Sequence, residues 1–499
     1  MIKILNIDQI QALDRYTIAN EPISSIDLME RACLRFVTWF VRKFQPSERV
    51  TVFAGTGNNG GDALGIARLL VERKFDVDVL VVRGGEGSPD FKTNYERLSS
   101  LKIIHEIKST TAIPDFNTDV IIDGLFGSGL TRPVEGLYAD VIRALNKAQS
   151  VRVAIDIPSG LMADKPSPGE IFRADFTITF QLPKLSFLLS ASAPFVGDWH
   201  VVDIGLSGDF ISGQESRYRL LEAGDVRQLL KSRLRFDHKG TFGKALLVCG
   251  GYGKMGAAVL SARAAVRSGL GLLTVHIPGC GYEILQTAIP EAMVSVDDDN
   301  ECFSSGISEL AGYVGIGIGP GIGTRTETAA AFGRLMQDYS RSMVIDADGI
   351  NILASGGELV HLIPAKSILT PHPGELKRLI GGWKDDFDRL DKSLNFAAKT
   401  NTYLLVKGAF TSIATPEGHL YFNPTGNPGM ATGGSGDVLT GILTSLLAQG
   451  YTSQEAAILG TYVHGLAGDF AAERQGQIAL IPSDIIRSLP RAFRVLATE

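Results

Sequence analysis

Short apolar runs that alternate with helical stretches constrain the fold of this chain more than any other feature. In the first half of the 499-residue sequence these runs are RVTVFAG, VDVLVVR, DVIIDG, VRVAIDIP, ADFTITF and GDWHVVDIGL. The intervening apolar spacing predicts helices at 26–44, 61–74, 90–100 and 136–149. Strands that are apolar on both faces are typical of a parallel sheet covered by helices. The rhythm therefore predicts an α/β domain.

The same rhythm lapses between residues 206 and 243 and then restarts. The second half predicts strands near 244–249, 272–276, 313–317, 343–346, 367–369, 403–407, 411–414 and 419–422. It predicts helices near 256–268, 325–338, 374–380, 437–448 and 453–474. At about 150 residues per domain the length allows two or three domains. We expect two, at 1–215 and 216–499.

Charge and cysteine content exclude several classes of protein. A net charge of −6 argues against binding nucleic acid or an anionic membrane by bulk attraction, which needs a clustered basic face. The four cysteines form no CxxC pair, so neither a disulfide framework nor a zinc site is predicted. Neither a signal peptide nor a long uncharged apolar run occurs. We expect a cytoplasmic protein without nucleic-acid or membrane partners.

Glycine makes up 56 of the 499 residues, about 11%, against a usual ~7%. Two glycine-rich segments, GTGNNGGD from Gly55 and GGYGKMG from Gly250, formally match the dinucleotide-binding fingerprint. Asp62 would repel a pyrophosphate at the first helix, and no carboxylate follows the second segment by about 20 residues. These details disfavour a hydride-transferring dehydrogenase. Glycines that only form tight turns remain an alternative.

Polar side chains follow three strands of the first domain. NNGGD (58–62) follows one strand, Asp123 with a glycine-rich loop ends another, and Asp156 and Ser159 follow a third. Because ligands of open parallel sheets gather at the carboxyl ends of strands, these loops are expected to converge on one crevice. Their amides and carboxylates can hold a monovalent cation or an uncharged heterocycle. Alternatively, Asp123 forms an Asx-turn and Ser159 a cap.

The segment TGGSGD near the C-terminus carries the strongest local signal. Backbone N–H groups of Gly433 to Gly436 at the start of a helix can stabilise charge on a transferring phosphoryl group. Asp437 then stands where a base accepts the proton of an attacking hydroxyl, although an N-cap is the simpler alternative. No GxxxxGK[ST] motif occurs, so a P-loop enzyme is excluded.

Three further segments of the second half fit a nucleotide or substrate site. KGAFT (407–411) ends a strand and can contact a nucleotide phosphate or ribose. GIGPGIG (317–323) allows close backbone approach. TPHPGE places His372 at a strand-to-helix turn, where we favour a substrate contact over a structural role.

Taken together, the motifs resemble the bifunctional NAD(P)H-hydrate repair enzymes over nearly the whole chain. GTGNNGGD, IIDGLFGSGLTRP and AIDIPSG resemble the epimerase domain of that family. GKMGAAVLSARAAVRSGLGLLT, GPGIG, LTPHPGE, VKGAFT and NPGMATGGSGDVLTG resemble its dehydratase domain. The resemblance implies an N-terminal Rossmann-like three-layer sandwich and a C-terminal ribokinase-like α/β domain.

The resemblance also implies the chemistry. Reduced nicotinamide cofactors slowly add water across a ring double bond and give R and S hydrates. The first domain would be an isomerase that interconverts these epimers of the NADH and NADPH hydrates. The second would be a lyase that dehydrates the S form while ADP, with Mg²⁺, is converted into AMP and phosphate. A homo-oligomer is expected.

Site residues implied by the resemblance fall into two sets. In the epimerase the hydrate would contact Asn58, Asn59, Gly60, Gly61, Asp62, Gly127, Ser128, Gly129, Leu130, Thr131, Arg132, Pro133 and Asp156, and potassium would bind Asn59, Asp123 and Ser159. Asp156 is the candidate acid/base of the epimerase by its position. In the dehydratase the hydrate would contact Ala257, Gly321, Gly323, His372 and Asp437, and ADP would contact Lys407, Gly408, Ala409, Phe410, Thr411 and Gly436. Asp437 would deprotonate the substrate hydroxyl, which then attacks the β-phosphoryl group.

Two other functions use the same residues. The second half alone suits a kinase of a small vitamin precursor, because an anion hole with a neighbouring base serves both reactions. The first half alone suits a non-catalytic binding module. The TPHPGE turn and the attached NNGGD domain favour hydrate repair over the kinase. The presence of Asn59, Asp123, Asp156 and Ser159 argues against the non-catalytic module.

Overall fold

A computed structural model describes residues 1–110 and 117–498. These residues form two compact units, Lys3–Ser216 and Arg217–Glu499, and the second unit includes Met1–Ile2. Residues 111–116 and Glu499, which belong to the predicted domain ranges, lie outside the described residues. No helix in the described part of the chain is long and apolar enough to cross a membrane.

The first unit is a parallel sheet flanked by helices. Its strands are β2 (Arg49–Ala54), β3 (Asp76–Val82), β4 (Ile104–Ile107), β5 (Val120–Gly124), β6 (Val151–Ile155), β7 (Phe176–Phe180) and β8 (Asp198–Val202). Its helices are α1 (Ile7–Asn20), α2 (Ser25–Lys43), α3 (Asn58–Glu72), α4 (Pro89–Ser99), α5 (Gly136–Leu145), α6 (Ala193–Val196) and α7 (Gly208–Gly213).

The strand order of this sheet is β4-β3-β2-β5-β6-β7-β8, and every neighbouring pair is parallel. The chain therefore leaves β2 in one direction and returns to the other side of it at β5. This is the topological switch point at which doubly wound sheets bind ligands. The predicted amphipathic helix at 26–44 is confirmed as α2, whose apolar residues from Met29 to Phe40 pack into the core beside the sheet.

The second unit contains a larger mixed sheet. The first strand of this sheet is β1 (Ile2–Lys3), from the start of the chain. The other strands are β9 (Tyr218–Leu220), β10 (Lys244–Val248), β11 (Leu272–Ile277), β12 (Met293–Val296), β13 (Gly315–Ile318), β14 (Met343–Ile345), β15 (Ile368–Leu369), β16 (Tyr403–Val406), β17 (Thr411–Ala414) and β18 (Leu420–Asn423). Its helices are α8 (Ala223–Leu229), α9 (Met255–Arg267), α10 (Tyr282–Ala288), α11 (Thr326–Asp338), α12 (Ala347–Ser355), α13 (Pro373–Ile380), α14 (Asp386–Thr400), α15 (Ser435–Ala448), α16 (Ser453–Gln475) and α17 (Pro482–Thr498).

The order of this sheet is β1-β9-β18-β17-β16-β15-β14-β13-β10-β11-β12. Strands from β12 to β16 pair in parallel, whereas β16 with β17 and β17 with β18 are antiparallel. The parallel part again brings the carboxyl ends of several strands to one edge, where the glycine-rich segments of this unit follow.

The strands and helices expected from the sequence are all present, with ends shifted by a few residues. Several elements were missed: the helices α1, α6, α7, α8, α10, α12, α14 and α17, and the strands β1, β4, β9 and β12. The missed strands are short and lie at or near a sheet edge. Their residues are partly exposed, so apolar and polar side chains do not follow a clear strand pattern in the sequence. Helix α17 contains Pro490, which reads as a helix terminator in a sequence.

Helix α15 is held between the sheet and α9 by glycine. A side chain at Gly441 would place its Cβ 2.1 Å from the carbonyl oxygen of Ser261 on α9, and one at Gly317 would meet Thr444 Oγ1 at the same separation. Because the backbones approach this closely, α15 has one position against its neighbours.

Replacing Gly441 with Ala is therefore expected to destabilise the second unit by about 1–3 kcal/mol, since the packed backbone of α9 must move. Gly224→Ala is the matched control. Gly224 lies in α8 with open space around its Cβ position, so alanine there should be neutral or stabilising by up to about 1 kcal/mol. Thermal and urea denaturation measure both effects, and equal stability of the two variants would contradict the close packing.

Candidate functional site

Glycines bring β2, β5 and the start of α3 together at the switch point of the first sheet. A Cβ at Gly55 would lie 2.1 Å from the carbonyl oxygen of Leu125, and a Cβ at Gly60 would lie 1.9 Å from the carbonyl oxygen of Gly55. The helix begins at Asn58 rather than at residue 61 as expected, so residues 58–62 form its first turn. The GTGNNGGD glycines thus allow a close backbone crossing.

Asn59, Asp123 and Ser159 converge around the backbone of Phe126. The Ser159 hydroxyl donates to Asp123 Oδ1 (2.7 Å), and the Ser159 N–H donates to Oδ2 (2.8 Å). The Asn59 amide donates to the Phe126 carbonyl oxygen (2.9 Å). Burial raises the pKa of Asp123 to about 6, although Ser159 and Leu125 donate hydrogen bonds to it. The structure therefore brings together all three residues expected to bind potassium.

The donor set at this place consists of carboxylate, hydroxyl, amide and carbonyl oxygens, which suit a hard cation. A buried carboxylate whose pKa is raised by burial also gains from a cation beside it. Among residues 1–110 and 117–498, no group of three or more His, Cys, Asp or Glu side chains is arranged to hold a metal ion. The oxygen donors of Asn59, Asp123 and Ser159 are therefore compatible with the hard cation expected from the sequence.

A cavity of about 430 Å³ opens beside this cluster within the first unit. Its polar lining is Gln11, Asp14, Arg15, Ser25, Asn58, Asp62, Asp90, Ser128, Asp156 and Lys184. Asn58, Asp62, Ser128 and Asp156 are four of the predicted hydrate contacts, and they come from three separate segments: the first turn of α3, the loop after β5 and the end of β6. Thr131, Arg132 and Pro133, by contrast, are exposed on the loop after β5 and do not line it.

Asp156 forms a buried ion pair with Lys184, which the sequence analysis did not single out. The Lys184 ammonium lies 2.6 Å from Asp156 Oδ1 and is 1% exposed. Burial by itself raises the pKa of Asp156, but the charge and hydrogen bond of Lys184 outweigh burial and hold this pKa below its ordinary value. Asp156 also has φ +63°, a backbone conformation that a non-glycine residue rarely adopts and that often marks a functional site.

Helix α1, which the sequence analysis did not predict, also lines this cavity. Gln11, Asp14 and Arg15 lie on this helix. The available signal was a capping box, because the Asn6 side chain accepts from the Gln9 N–H and the Gln9 side chain accepts from the Asn6 N–H. Asp62, half-buried at the other side, has a pKa raised by burial and by the neighbouring carboxylates.

In the second unit, Asp437 lies in the first turn of α15. The N-cap of this helix is Gly434, with φ +97°, so the N-cap alternative for Asp437 is wrong. Burial and then the carboxylate of Asp346 raise the pKa of Asp437 to about 6, while Lys407 opposes them. A carboxyl group with this pKa can accept a proton near neutral pH.

Asp346 connects the predicted nucleotide residues to α15. It follows β14, is 1% exposed, and accepts from Lys407 Nζ (2.7 Å) and from the Thr440 hydroxyl (2.7 Å). A Cβ at Gly436 would lie 3.0 Å from Lys407 Nζ. Lys407 and Gly436, both expected to bind ADP, are therefore brought together with Asp437. Asp346 itself was not predicted.

Gly321 and Gly323 form a second side of this region. Both have positive φ, +72° and +77°, and a Cβ at Gly321 would contact Ala257 on α9 at 3.3 Å. The Gly323 N–H donates to Asp348 Oδ2 (2.8 Å), which also lies 3.3 Å from Lys254 Nζ. Thus Ala257, Gly321 and Gly323 meet as expected, with Lys254 and Asp348 as additional charged neighbours.

His372 is the N-cap of α13. Its Nδ1 accepts from the Gly374 N–H (2.9 Å), and its own N–H donates to Glu375 Oε2 (2.9 Å), which completes a capping box. Its side chain is 53% exposed, with Nε2 3.5 Å from Glu375 Oε1, so the outer face of the imidazole ring can meet a substrate. Residues 408–410 form the turn between β16 and β17, closed by contacts between Gly408 and Thr411.

Comparisons with known proteins cover both units. Residues 245–491 match the family model described as NAD(P)H-hydrate dehydratase, and residues 25–186 match the YjeF-related protein N-terminus. The bifunctional NAD(P)H-hydrate repair enzyme of Moorella thermoacetica is 38% identical over 98% of this chain and 96% of its own length. The chain belongs to the family of bifunctional NAD(P)H-hydrate repair enzymes. This family combines an NAD(P)H-hydrate epimerase, an isomerase, with a dehydratase, a lyase.

Solved structures resemble the dehydratase part of this repair enzyme. A ribokinase-like superfamily protein from Enterococcus faecalis is 27% identical with a TM-score of 0.51, covering 57% of this chain and 99% of its own. The ADP/ATP-dependent NAD(P)H-hydrate dehydratase of Bacillus subtilis, co-crystallised with ATP and Mg²⁺, is 28% identical with a TM-score of 0.49, covering 56% and 98%. The ribokinase-like fold expected for the second half is confirmed, and the vitamin-precursor kinase is not favoured.

Lys184→Met is expected to destabilise the first unit by about 3–5 kcal/mol, because it leaves the Asp156 carboxylate buried without its partner. The double variant Asp156→Asn/Lys184→Met should recover most of this loss, since no unpaired charge remains. Lys147→Met, at an exposed lysine of the same unit, should stay within about 0.5 kcal/mol of the parent. Urea denaturation measures the free energy of unfolding of the three variants. An equal loss of stability in Lys184→Met and in the double variant would contradict a stabilising Asp156–Lys184 ion pair.

Proposed function

We propose that residues 1–215 epimerise the R and S hydrates of NADH and NADPH and that residues 216–499 dehydrate the S hydrate at the expense of ADP. One observation carries the assignment of the second activity. Asp437 stands at the start of α15 with a raised pKa, beside a lysine and a helix N-terminus able to hold phosphate. The cavity of the first unit, lined by carboxylates and Lys184, supports an acid/base reaction there.

In the epimerase, the hydrate is proposed to bind along the loops that reach the switch point. Asn58, Asp62, Ser128 and Asp156 face the cavity, which supports this assignment. The neighbouring residues of the same loops, Asn59, Gly60, Gly61, Gly127, Gly129, Leu130, Thr131, Arg132 and Pro133, are proposed as further contacts. Thr131 to Pro133 would contact the exposed end of the dinucleotide. Asp156, kept ionised by Lys184, acts as a base.

Potassium is proposed to bind Asn59, Asp123 and Ser159. Support comes from their shared contacts around Phe126 and from the raised pKa of the buried Asp123 carboxyl. When bound, the ion supplies positive charge that offsets the substrate diphosphate. The protein side of the site only has to keep these oxygens in place, which the Ser159 hydrogen bonds to Asp123 do.

In the dehydratase, the hydrate is proposed to contact Ala257, Gly321, Gly323, His372 and Asp437. The ADP is proposed to contact Lys407, Gly408, Ala409, Phe410, Thr411 and Gly436. Lys407 is held by Asp346 next to Gly436, so its ammonium faces the helix N-terminus that would receive the phosphates. Mg²⁺ usually keeps few protein ligands and binds phosphates, so it would accompany ADP near the carboxylates of Asp346 and Asp348.

The proposed reaction follows from these positions. Asp437 takes the proton of the hydrate hydroxyl, whose oxygen forms a bond to the β-phosphorus as the bond to the bridging oxygen breaks and AMP leaves. Backbone N–H groups at the start of α15 stabilise the charge on the transferring group. Phosphate then leaves the ring carbon more readily than hydroxide, and loss of a proton from the adjacent carbon restores the double bond.

The partners are small molecules, as for the other repair enzymes of the family, and the finer features remain proposals from the sequence. We propose a homo-oligomer in the cytoplasm that uses ADP as the co-substrate. The neutral-to-acidic charge, −6 in total, is consistent with a protein that meets its anionic ligands at local sites.

Incubation with a mixture of R and S NADH hydrates, ADP, Mg²⁺ and K⁺ should restore the absorbance of the reduced cofactor to completion. Completion requires both activities, because the dehydratase uses only the S form. If the absorbance stops rising at the fraction of S hydrate, the proposed epimerase activity is wrong. Restoration with ATP but not with ADP would show that ATP is the nucleotide used. Phosphorylation of a pyrimidine or thiazole alcohol without any hydrate recovery would support the kinase instead.

Asp437→Asn should lower dehydration by at least about 100-fold while epimerisation stays unchanged, because a general base contributes about 10²–10⁴ in rate. Since the base acts ionised and its pKa is raised to about 6, kcat of the parent should rise with pH below 6 and level off above it. Asp338→Asn, at an exposed position of α11, is the control. Dehydration kinetics between pH 5 and 8 would reject Asp437 as the base if the variant kept the parental rate.

A further inference from the structure

Asp14 is a carboxylate in the epimerase cavity that the assigned contacts do not use. It lies half-buried on α1 and lines the cavity together with Asp156. Within the described part of the chain its carboxylate has neither a hydrogen-bond donor nor an ion pair. Burying a carboxylate without partners costs stability, so its position calls for a role in the cavity.

The charged groups around Asp14 favour its protonated form. The cavity presents Arg15 from α1, Asp62 from α3, Asp90 from α4, Asp156 after β6, and Lys184. Lys184 is already committed to Asp156 at 2.6 Å. Burial and then the charge of Asp156 raise the pKa of Asp14 to about 6, although Lys184 and Arg15 oppose this. One wall of the cavity therefore carries an ionised carboxylate and another a carboxyl group that exchanges its proton near neutral pH.

Inversion of the hydrate through loss and return of its hydroxyl uses this combination. A reduced nicotinamide is an enamine, so water adds with its hydroxyl on the ring carbon bonded to the nitrogen, and R and S differ at that carbon. On this route the C–O bond breaks and re-forms on the other face. The nitrogen lone pair can form a C=N bond only if the departing hydroxyl receives a proton and leaves as water.

We propose that Asp14 is the proton donor of the epimerase, acting on the hydroxyl of the hydrate while Asp156 serves as the base. This inference rests on the epimerase function proposed for the first unit. Asp14 gives its proton to the hydroxyl, the C–O bond breaks, and water departs as the C=N bond forms. A water then adds to the opposite face and passes its extra proton to Asp156. Exchange with solvent in the open cavity restores the starting protonation.

In both directions of the reaction, Asp14 and Asp156 together carry one proton. The reverse reaction starts with Asp156 protonated and Asp14 ionised, which is the other arrangement of a single shared proton. Epimerisation therefore has one pH dependence in both directions: it should fall about tenfold per pH unit above the value at which Asp14 loses its proton.

The test uses the full chain without nucleotide, so that only epimerisation proceeds. Purified R NADH hydrate is incubated with the protein and K⁺, and the S hydrate is quantified by reversed-phase chromatography, which separates the two diastereomers. Asp14→Asn should lower kcat at least 100-fold and change KM less than threefold, because the amide cannot donate an acidic proton. Asp14→Glu should keep a measurable rate and the decline above pH 6.

Asp8→Asn is the matched control, since Asp8 lies exposed in the first turn of the same helix and outside the cavity. It should retain the rate within twofold. The melting temperature distinguishes a folding defect from lost chemistry. Because the ionised Asp14 carboxylate is unfavourable in the folded protein near neutral pH, Asp14→Asn should melt at the same or a higher temperature.

Two results would overturn the role of Asp14. The first is an Asp14→Asn rate within threefold of the parent, and the second is a slowed variant that keeps the decline above pH 6, which would mean that another group titrates. A parent protein that converts no R hydrate in this assay, while it still dehydrates the S hydrate with ADP, would instead reject the epimerase function itself.

Discussion

A buried aspartate paired with a lysine at the carboxyl end of a parallel strand underlies both sites. Asp156 follows β6 and holds Lys184 at 2.6 Å, and Asp346 follows β14 and holds Lys407 at 2.7 Å. In each pair the lysine charge offsets part of the cost of burying the carboxylate. Each pair in turn sets the charge beside a second carboxyl group, Asp14 in one unit and Asp437 in the other.

The two neighbouring carboxyl groups have the same physical origin and opposite uses. Burial and one adjacent ionised aspartate raise the pKa of each to about 6. In the proposed reactions Asp437 would act as an ionised base beside a helix N-terminus suited to phosphate, and Asp14 as an acid in a cavity where a hydroxyl leaves. Similar electrostatics in different surroundings would then give two different reactivities.

Motifs at strand ends were predictable because they depend on local spacing. The apolar runs identified the central strands, and the polar residues after them identified Asn59, Asp123, Asp156, Ser159 and Asp437. Lys184, Asp346 and Asp14 were not found. Their importance arises from contacts across 28, 61 or more residues of sequence, and no local pattern distinguishes a lysine in QLPKLSF that is buried against a carboxylate from one that is exposed.

The sequence by itself determined the two α/β units, the succession of their central strands and helices along the chain, and the loops that carry the candidate site residues. Hydrophobic periodicity and glycine position are local properties, and they are sufficient for this. Only the tertiary structure decided which carboxylates are paired and which are left to exchange a proton. That distinction depends on burial and on distances between charges from separate elements, which fix the free energy of each protonation state.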